Sequence, residues 1–337
     1  MEDFPIKIRP TDLPDWSENF ALAGFDPAAG IDVFLHLGRW RKDVSLWRQL
    51  VILSLPDNTF IVSRAVGKGL ETERGPGAAN LSMEVVEDGS HLRWRFLGAA
   101  RRFSGEFLRH SLPIDGPLER LEFELDFQSD LPLWDLGHSG TATGFAGHGH
   151  TEQIGKTRAE IKFGSEVFNV DTYANRDHSR GPRTMRDSMI RHIWFHGIFD
   201  NGVRFYAYQV HDTDDVTPVL SEAAVVVDGV MHSAKLNVER PLPQRDALTH
   251  IFEPVPFSLE YAGGRIAGVA QSFPTSSYQQ YTAPSESYIG ARQIGLSPSR
   301  RLMEQSVLYA LSDGTKGYGH MERTVPGTLL RDEDFLE

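Results

Sequence analysis

The chain has 337 residues, 40% hydrophobic and 24% charged, a composition typical of a soluble globular protein with room for two domains. Its formal net charge of −12 argues against a nucleic-acid partner and against docking on anionic lipid, because both require a basic surface. The sequence has no cysteine, which excludes disulfides, thiolate metal sites, iron–sulfur clusters and cysteine nucleophiles.

The N-terminal sequence MEDFPIKIRPTDLPDW lacks the basic and apolar regions of a signal peptide. No apolar run approaches the roughly 18 residues that are needed to cross a bilayer. We therefore expect a cytoplasmic protein that does not insert into membranes. One short helix is predicted at TDLPDWSENFA, with Thr11 or Asp12 at its beginning.

Most of the remaining chain is predicted to form antiparallel strands. In the ranges 91–98 and 120–127, hydrophobic residues alternate with polar ones, which indicates strands with one buried face. Turn-forming pairs separate such runs, in the sequences EDGS, DNG, VDGV, AGGR and SDGT. The sequence has no glycine-rich nucleotide loop after a strand and no helical pattern long enough for a βαβ unit. These patterns predict an all-β protein with two barrels or sandwiches in tandem.

The glycine-rich segment GHGHTEQIGKTRAEIKFG (147–164) is the predicted seam, because the strand pattern restarts there. It divides the chain into domains 1–165 and 166–337. Within it, His148, His150 and Glu152 alternate and would share one face of a strand, where they could ligate zinc or iron. A flexible loop with glycines and histidines has the same pattern, so a metal enzyme is the weakest of the alternatives.

The sequence NVDTYANRDHSRGPR (169–183) begins as a strand and ends in a cluster of charged residues. Asp177 and His178 point to opposite faces of an extended strand. They can share one site only if the chain turns, as Gly181-Pro182 predicts. Asp177 is then the principal acid or base, and Arg183 orients its carboxylate. The alternative is a structural ion pair between Asp177 and Arg183 that braces the domain junction.

The sequence RHIWFHGIFDNGVRFYAYQVHD (191–212) predicts a hairpin around a two-residue turn at Asn201-Gly202. In that register one face mixes histidines with an indole, which suits the wall of a ligand cavity. Its members are His192, Trp194, His196, Ile198, Phe205, Gln209 and His211. The opposite face would be an apolar core of Ile193, Phe195, Phe199, Tyr206, Tyr208 and Val210. The alternative is a solvated surface with scattered histidines.

The sequence HTEQIGKTRAEIKFGSEVFNVDTYANRDHSRGPR (150–183) resembles the pattern H-x-E-Q, a glycine-bounded strand, and G-x-R-D-H-S-W-G-x-R. That pattern marks bacterial proteins related to the AttH-like and carotenoid-hydratase-like families. The segments FLHLGRWRKDVSLWRQLVILSLPDN, LPLWD and GYGHMERT are also similar, so the resemblance covers nearly the whole chain. Arg180 stands where the motif has tryptophan, and the range 173–175 replaces its leading glycine.

The resemblance implies two tandem lipocalin-like antiparallel β-barrels, or strongly curved sheets, packed together. Relatives include hydratases that add water to isoprenoid double bonds without a cofactor, and cyclising enzymes of similar architecture. The family motif falls on His150, Glu152, Gln153, Asp177, His178, Gly181 and Arg183.

These observations lead us to expect a cofactor-independent acid–base enzyme without a metal. It would be a lyase of the hydratase or dehydratase type, or an isomerase or cyclase, acting on a bulky hydrophobic molecule such as a terpenoid, steroid or polyketide. The predicted catalytic residues are Asp177, His178, Glu152 and His192. The predicted substrate-binding residues are Tyr173, Arg183, Trp194, His196, Tyr206, Tyr208, His150, Gln153 and Glu322.

Two alternatives remain open, one to the enzymatic function and one to the role of Glu322. A lipocalin-like carrier would bind the same kind of molecule without changing it. Glu322, which follows a glycine-rich bend on an apparent final strand, could be a surface carboxylate on an edge strand instead of a binding residue. The sequence leaves the oligomeric state open.

Overall fold

The computed structural model describes residues 16–40, 43–69, 72, 74–105, 116–136, 149–182, 191–211, 217–238, 254–283, 286–289 and 300–326. The chain forms two compact units, and apart from two short segments the division falls between residues 185 and 186. Each unit contains an antiparallel β-barrel that eight strands close. The predicted fold class, all-β with two tandem barrels, is confirmed.

The first barrel has the strand order β4-β3-β2-β1-β11-β10-β8-β7, and the pairing of β4 with β7 closes it. The strands of this unit are β1 (Trp16–Asp26), β2 (Ile31–Trp40), β3 (Asp43–Ser54), β4 (Thr59–Lys68), β5 (Gly77–Ala78), β6 (Leu81–Glu87), β7 (His91–Ser104), β8 (Leu118–Gln128), β9 (Trp134–Asp135), β10 (Gly149–Phe163) and β11 (Glu166–Pro182).

The second barrel has the order β17-β16-β15-β14-β13-β12-β21-β20, and the pairing of β17 with β20 closes it. Its unit contains β12 (Arg191–Phe199), β13 (Arg204–His211), β14 (Pro218–Val227), β15 (Val230–Val238), β16 (Val255–Tyr261), β17 (Gly264–Ser272), a short 3-10 helix (Pro274–Ser276), β18 (Tyr278–Ala283), β19 (Glu286–Ile289), β20 (Arg300–Leu311) and β21 (Lys316–Pro326). Within the described ranges, none of the helices is long and apolar enough to span a membrane.

The predicted domain division after residue 165 needs correction. β10 and β11 pair continuously, from Phe163↔Glu166 to Gly149↔Arg180, so the division would cut a hairpin of the first barrel. The glycine-rich segment therefore contains a barrel strand and its turn, where Gly164 has a φ of 56°. The predicted helix is also wrong where it is described, because β1 begins at Trp16; residues 11–15 lie outside the described residues.

The predicted alternation places the core as expected. Leu92, Trp94 and Phe96 of β7 and the alternate hydrophobic residues of β8 are all buried in one cluster inside the first barrel. The VDGV turn is also confirmed, since Val227 pairs with Val230 and the intervening Asp228 and Gly229 have φ angles of 50° and 76°. Positive φ at both positions is the mark of a primed hairpin turn.

The register of the β12–β13 hairpin differs from the prediction by one residue. The loop has three residues instead of two: the Phe199 amide donates to the Val203 carbonyl at 2.8 Å, and Gly202 has a φ of 85°. Tyr206 and Tyr208 consequently pair with His196 and Trp194 and share their face. Phe205 instead lies in the core cluster of the second barrel, so the predicted positions of these aromatic residues are exchanged.

One end of the first barrel's interior contains charged side chains. Glu18 and His178 belong to the inward faces of β1 and β11, and Arg39 to that of β2. Glu18 accepts a hydrogen bond from Arg39 Nε at 3.0 Å, and its other oxygen lies 3.2 Å from His178 Nε2. The His178 ring stacks on Phe20, and the Arg39 guanidinium lies over Trp47. All of these side chains are buried, so the network is a structural part of the barrel.

We expect Arg39→Leu to lower the free energy of unfolding by roughly 3–5 kcal/mol, because it removes a partner from a fully buried carboxylate. The matched control is Arg95→Leu. Arg95 also pairs with two carboxylates, Glu124 at 2.8 Å and Glu84 at 3.0 Å, but it is about half exposed. Its loss should cost less than about 1 kcal/mol. Urea unfolding of both variants measures the difference, and equal losses would contradict the structural role of the Glu18 network.

Candidate functional site

A compact group of polar side chains lies on the outward face of β10 and β11. The inward residues of these strands, such as Ile161 and Val170, belong to the core cluster. The alternate residues therefore point outward. Four of them, His150, Glu152, Asn175 and Asp177, form what we call the β10–β11 cluster. Glu152 and Asp177 are direct cross-strand partners.

His150 is the centre of this cluster. Its Nε2 contacts Asp177 Oδ2 and lies 3.3 Å from Glu152 Oε1. The second oxygen of Glu152 accepts a hydrogen bond of 2.9 Å from the Asn175 side-chain amide. One imidazole is thus held between two carboxylates, and one of these is fixed by an amide.

The charge of His150 follows from this arrangement. Burial by itself lowers the pKa of a histidine, but the Asp177 and Glu152 carboxylates outweigh burial here and raise the pKa of His150 to about 9. His150 is therefore an imidazolium at neutral pH. The proton on His150 Nε2 thus lies close to two carboxylates, and either carboxylate can accept it.

Access to the cluster differs among its members. The side chain of Glu152 is 0% exposed and that of His150 is 4% exposed, whereas Asp177 keeps 14%. Asp177 is therefore the carboxylate of this group that another molecule can reach. Two further buried atoms lie on the same face: among the described residues, Asn175 Oδ1 and Ser179 Oγ have no hydrogen-bond partner. Ser179 is the cross-strand partner of His150.

The cluster also offers the donors that a divalent cation uses. One ligand atom each from His150, Glu152 and Asp177 lie within 4.8 Å of one another, and nitrogen and carboxylate oxygen suit zinc or iron. His148, the other predicted ligand, lies outside the described residues.

The structure separates two residues that were predicted to act together. β11 continues through Pro182, so the predicted turn does not form before that residue. Asp177 therefore points outward while His178 points inward to Glu18, and the shared Asp177–His178 site is wrong. Arg183 lies outside the described residues, so the predicted contact with Asp177 stays a prediction.

The other predicted residues of the first barrel lie beside the cluster. Gln153 points inward and is buried, where it accepts a hydrogen bond of 3.1 Å from Arg176 Nε. Tyr173 is half-buried on the outward face of β11, and Lys156 Nζ lies 5.2 Å from its ring centroid.

The second barrel brings together most of the remaining predicted residues on the outward face of β12, β13 and β21. We call this surface, together with Glu304 of the neighbouring β20, the β12–β21 face; it contains His192, Trp194, His196, Tyr206, Tyr208, Glu304, His320 and Glu322. His192 Nε2 lies 3.4 Å from Glu322 Oε1. Because β21 pairs with both β12 and β20, Glu322 is on an interior strand of the sheet, and the edge-strand alternative is wrong.

Sequence reasoning missed two residues of this face. Glu304 on β20 is the cross-strand partner of Glu322, and its Oε2 lies 2.9 Å from His320 Nε2. A signal was present: Glu-Gln occurs at 152–153 and again at 304–305. In both barrels this pair lies on the second-last strand in chain order, β10 or β20, with the glutamate opposite a carboxylate of the last strand, Asp177 or Glu322.

Two surface depressions, of about 440 and 540 Å³, lie elsewhere on the described surface. The first is lined by β6, β7, β8 and β10 residues around Arg95 and Glu124, and the second by β15, β16, β17 and β20 residues around Lys235 and Arg265. Neither includes a residue of the β10–β11 cluster or of the β12–β21 face.

Solved structures that share the fold include the following three. A Nitrosomonas europaea protein described as an AttH candidate is 15% identical, with a TM-score of 0.60 over 91% of this chain and 92% of its own. CghA in complex with Sch210972 is 9% identical, with a TM-score of 0.58 over 97% and 94%. Kievitone hydratase from Nectria haematococca is 11% identical, with a TM-score of 0.54 over 96% and 94%. At these identities the likeness establishes the fold alone.

The sequence comparisons identify the family. No curated protein matches the chain significantly. The family described as a domain of unknown function, DUF7064, matches residues 7–240, which is more than half of the chain. The chain therefore belongs to the DUF7064 family.

Proposed function

We propose that this protein is a cofactor-independent acid–base enzyme that transfers protons through the β10–β11 cluster. The reaction would be that of a lyase of the hydratase or dehydratase type, or of an isomerase or cyclase. The substrate would be a bulky hydrophobic molecule such as a terpenoid, steroid or polyketide. One observation carries the proposal: a cationic imidazole, His150, contacts a carboxylate that retains exposure, Asp177.

The three ionisable groups have different tasks in this scheme. Asp177 is the reachable group and exchanges protons with the substrate. His150 supplies the proton to Asp177 and takes it back, as general acid–base catalysis requires. Glu152 is fully buried and fixed by Asn175, so it orients the imidazole and stabilises its positive charge.

A hydration illustrates the balance of atoms. Protonated Asp177 gives its proton to one carbon of the double bond, and a carbocation forms at the other carbon. Water adds to that carbon, and the proton released by the water returns to the Asp177 carboxylate. The net change is one water added across one double bond, with the cluster restored. Dehydration is the reverse, and an isomerisation or cyclisation would return the proton from another position of the substrate.

Solved structures with the same fold support the proposal of an enzyme of the hydratase type. One protein with the same fold is named as a hydratase, and another was solved with the compound Sch210972. The likeness of residues 150–183 to the R-D-H-S-W-G-x-R motif supports the same assignment. The motif's Asp177 is the accessible carboxylate, while its His178 serves the barrel interior.

The alternative of a lipocalin-like carrier is less well supported. A carrier needs an apolar cavity with few titratable groups. The interior of the first barrel is instead filled by large buried side chains, among them Trp47, Trp94 and Phe96.

The metal-enzyme alternative is tested by metal analysis of the purified protein. Under the proposed mechanism His150 carries a proton at neutral pH, and a metal ion would have to displace it. The proposed mechanism predicts that the purified protein holds no stoichiometric transition metal, because an imidazolium is not a ligand. A stoichiometric metal ion that His150→Gln removes would replace the proton-transfer mechanism with a metal-assisted one.

We expect Asp177→Asn to reduce turnover roughly 100- to 10,000-fold, because it removes the group that exchanges protons with the substrate. Turnover is measured in ¹⁸O-labelled water on a panel of terpenoids, steroids and polyketides that includes kievitone. Hydration adds the mass of one labelled water, and isomerisation gives a new product of unchanged mass. The matched control is Asp171→Asn, an exposed carboxylate on the same strand, which should retain full activity. Unchanged turnover in Asp177→Asn, with a lower melting temperature, would assign Asp177 a structural role instead.

The raised pKa of His150 predicts a pH dependence of stability. The pKa in the folded protein is about 9, against an ordinary value of 6.5, so the folded state binds the proton more tightly than the unfolded chain. The resulting stabilisation is complete below pH 6.5 and is lost as the pH rises through about 9. Urea unfolding should therefore show that the advantage of the native protein over His150→Gln shrinks across this window. A constant difference from pH 6 to about 10 would refute the buried imidazolium.

A further inference from the structure

His196 lies at the centre of the β12–β21 face. Its cross-strand neighbours are Tyr206 on β13 and His320 on β21, and it is 3% exposed. Its Nε2 atom is fully buried and makes no hydrogen bond within the part of the chain that the structure describes. A buried polar atom without a partner costs free energy, and at a functional site it indicates a group that a ligand satisfies.

The imidazole of His196 is neutral. Burial lowers the pKa of His196 well below its ordinary value, and the neighbouring His320 lowers it further. A neutral imidazole has one nitrogen that donates a hydrogen bond and one that accepts. A hydroxyl suits the unpartnered Nε2 in either tautomer, because a hydroxyl both donates and accepts.

The backbone at His196 is held in place from the barrel interior. The Tyr309 hydroxyl donates a hydrogen bond of 2.9 Å to the His196 carbonyl. Burial keeps the pKa of Tyr309 well above its ordinary value, so it remains a donor. Its ring fits because residue 197 is glycine: a Cβ there would lie 2.4 Å from the Tyr309 ring. The backbone from which the imidazole projects is therefore held in place by the barrel interior.

Aromatic rings surround the imidazole. Trp194 presents its ring edge-on to His196, with centroids 5.4 Å apart, and the His320 ring lies parallel to it at 6.0 Å. His192 and Tyr208 continue the same face, with ring centroids 4.9 Å apart. Glu322 is the cross-strand partner of Trp194, and its side chain is 20% exposed. Another molecule can therefore approach the face beside Glu322. Such walls bind flat apolar rings.

The carboxylates of this face favour an uncharged ligand. Glu304 has His320 as its partner at 2.9 Å, and Glu322 has His192 at 3.4 Å. Because each carboxylate already has an imidazole partner, neither is available to pair with a charged group of a ligand.

We propose that the β12–β21 face binds an uncharged aromatic or polycyclic molecule that carries a hydroxyl group. The hydroxyl would form a hydrogen bond with the His196 imidazole, and the apolar rings would pack against Trp194 and Tyr208. This site lies on the second barrel and does not depend on the catalytic role proposed for the β10–β11 cluster.

Equilibrium dialysis with 2-naphthol and naphthalene tests the proposal on the full-length protein. The two probes share their rings and differ by the hydroxyl. The native protein should bind 2-naphthol roughly 10-fold more tightly than naphthalene, as expected when a buried hydrogen-bonding group is satisfied. In His196→Phe the preference should disappear. Equal affinity of the native protein for both probes, absence of binding, or an undiminished preference in His196→Phe would overturn the proposal.

Thermal unfolding separates a binding role of His196 from a structural one. A ligand-free His196→Phe protein should be at least as stable as the native one, because the substitution removes an unpartnered buried polar atom. A large loss of stability would assign the imidazole to the fold instead. His196→Gln, which still donates and accepts, should keep part of the hydroxyl preference and gives a second reading if the phenylalanine variant does not fold. Since 2-naphthol binding involves no turnover, failure here leaves the proton-transfer proposal intact, and inactivity of the β10–β11 cluster leaves this one intact.

Discussion

The alternation of side chains along a strand, combined with burial on both sides, governs the chemistry of this protein. On β10 and β11 the inward residues fill a barrel, and at one end of both strands outward residues such as His150, Glu152 and Asn175 are buried as well. A buried polar group destabilises the fold unless it has a partner. On the outward face, the buried His150 has two carboxylates as its partners. The same alternation points the side chains of adjacent residues to opposite faces. Asp177 belongs to the outward group, while His178 points inward and contacts Glu18.

The two barrels repeat one arrangement on their last two strands in chain order, β10 with β11 and β20 with β21. In each barrel a glutamate of the first of these strands lies opposite an outward carboxylate of the second, and the following glutamine points inward and accepts a hydrogen bond from an arginine. The corresponding residues are Glu152, Gln153, Asp177 and Arg176 in the first barrel, and Glu304, Gln305, Glu322 and Arg323 in the second. The inward pair ties the two strands together beneath the outward carboxylates, so the geometry of the outward groups depends on it.

The sequence was sufficient for the strands, the turns and most of the faces, because these depend on local alternation and on residues that tolerate positive φ. It was insufficient for the β12–β13 register. Asp200, Asn201 and Gly202 fit a two-residue or a three-residue turn, and Phe205 and Tyr206 are both aromatic, so composition could not decide which one faces the core. The Glu18 network was invisible for another reason. Its partners lie 21 and 160 residues away, and no local pattern predicts such contacts.

Two buried histidines, His150 and His196, show how the same side chain is charged at one position and neutral at another. Burial favours the neutral form of both, and the nearest charged groups decide the outcome. His150 stands two residues before Glu152, which places it beside both carboxylates and keeps it protonated. The equivalent position before Glu304 is Leu302, so the second barrel cannot build the same group from that strand. Its histidines come from β12 and β21 instead, and the one without a carboxylate, His196, is neutral. On this strand, therefore, a leucine in the second barrel stands where the first barrel has the histidine that contacts two carboxylates.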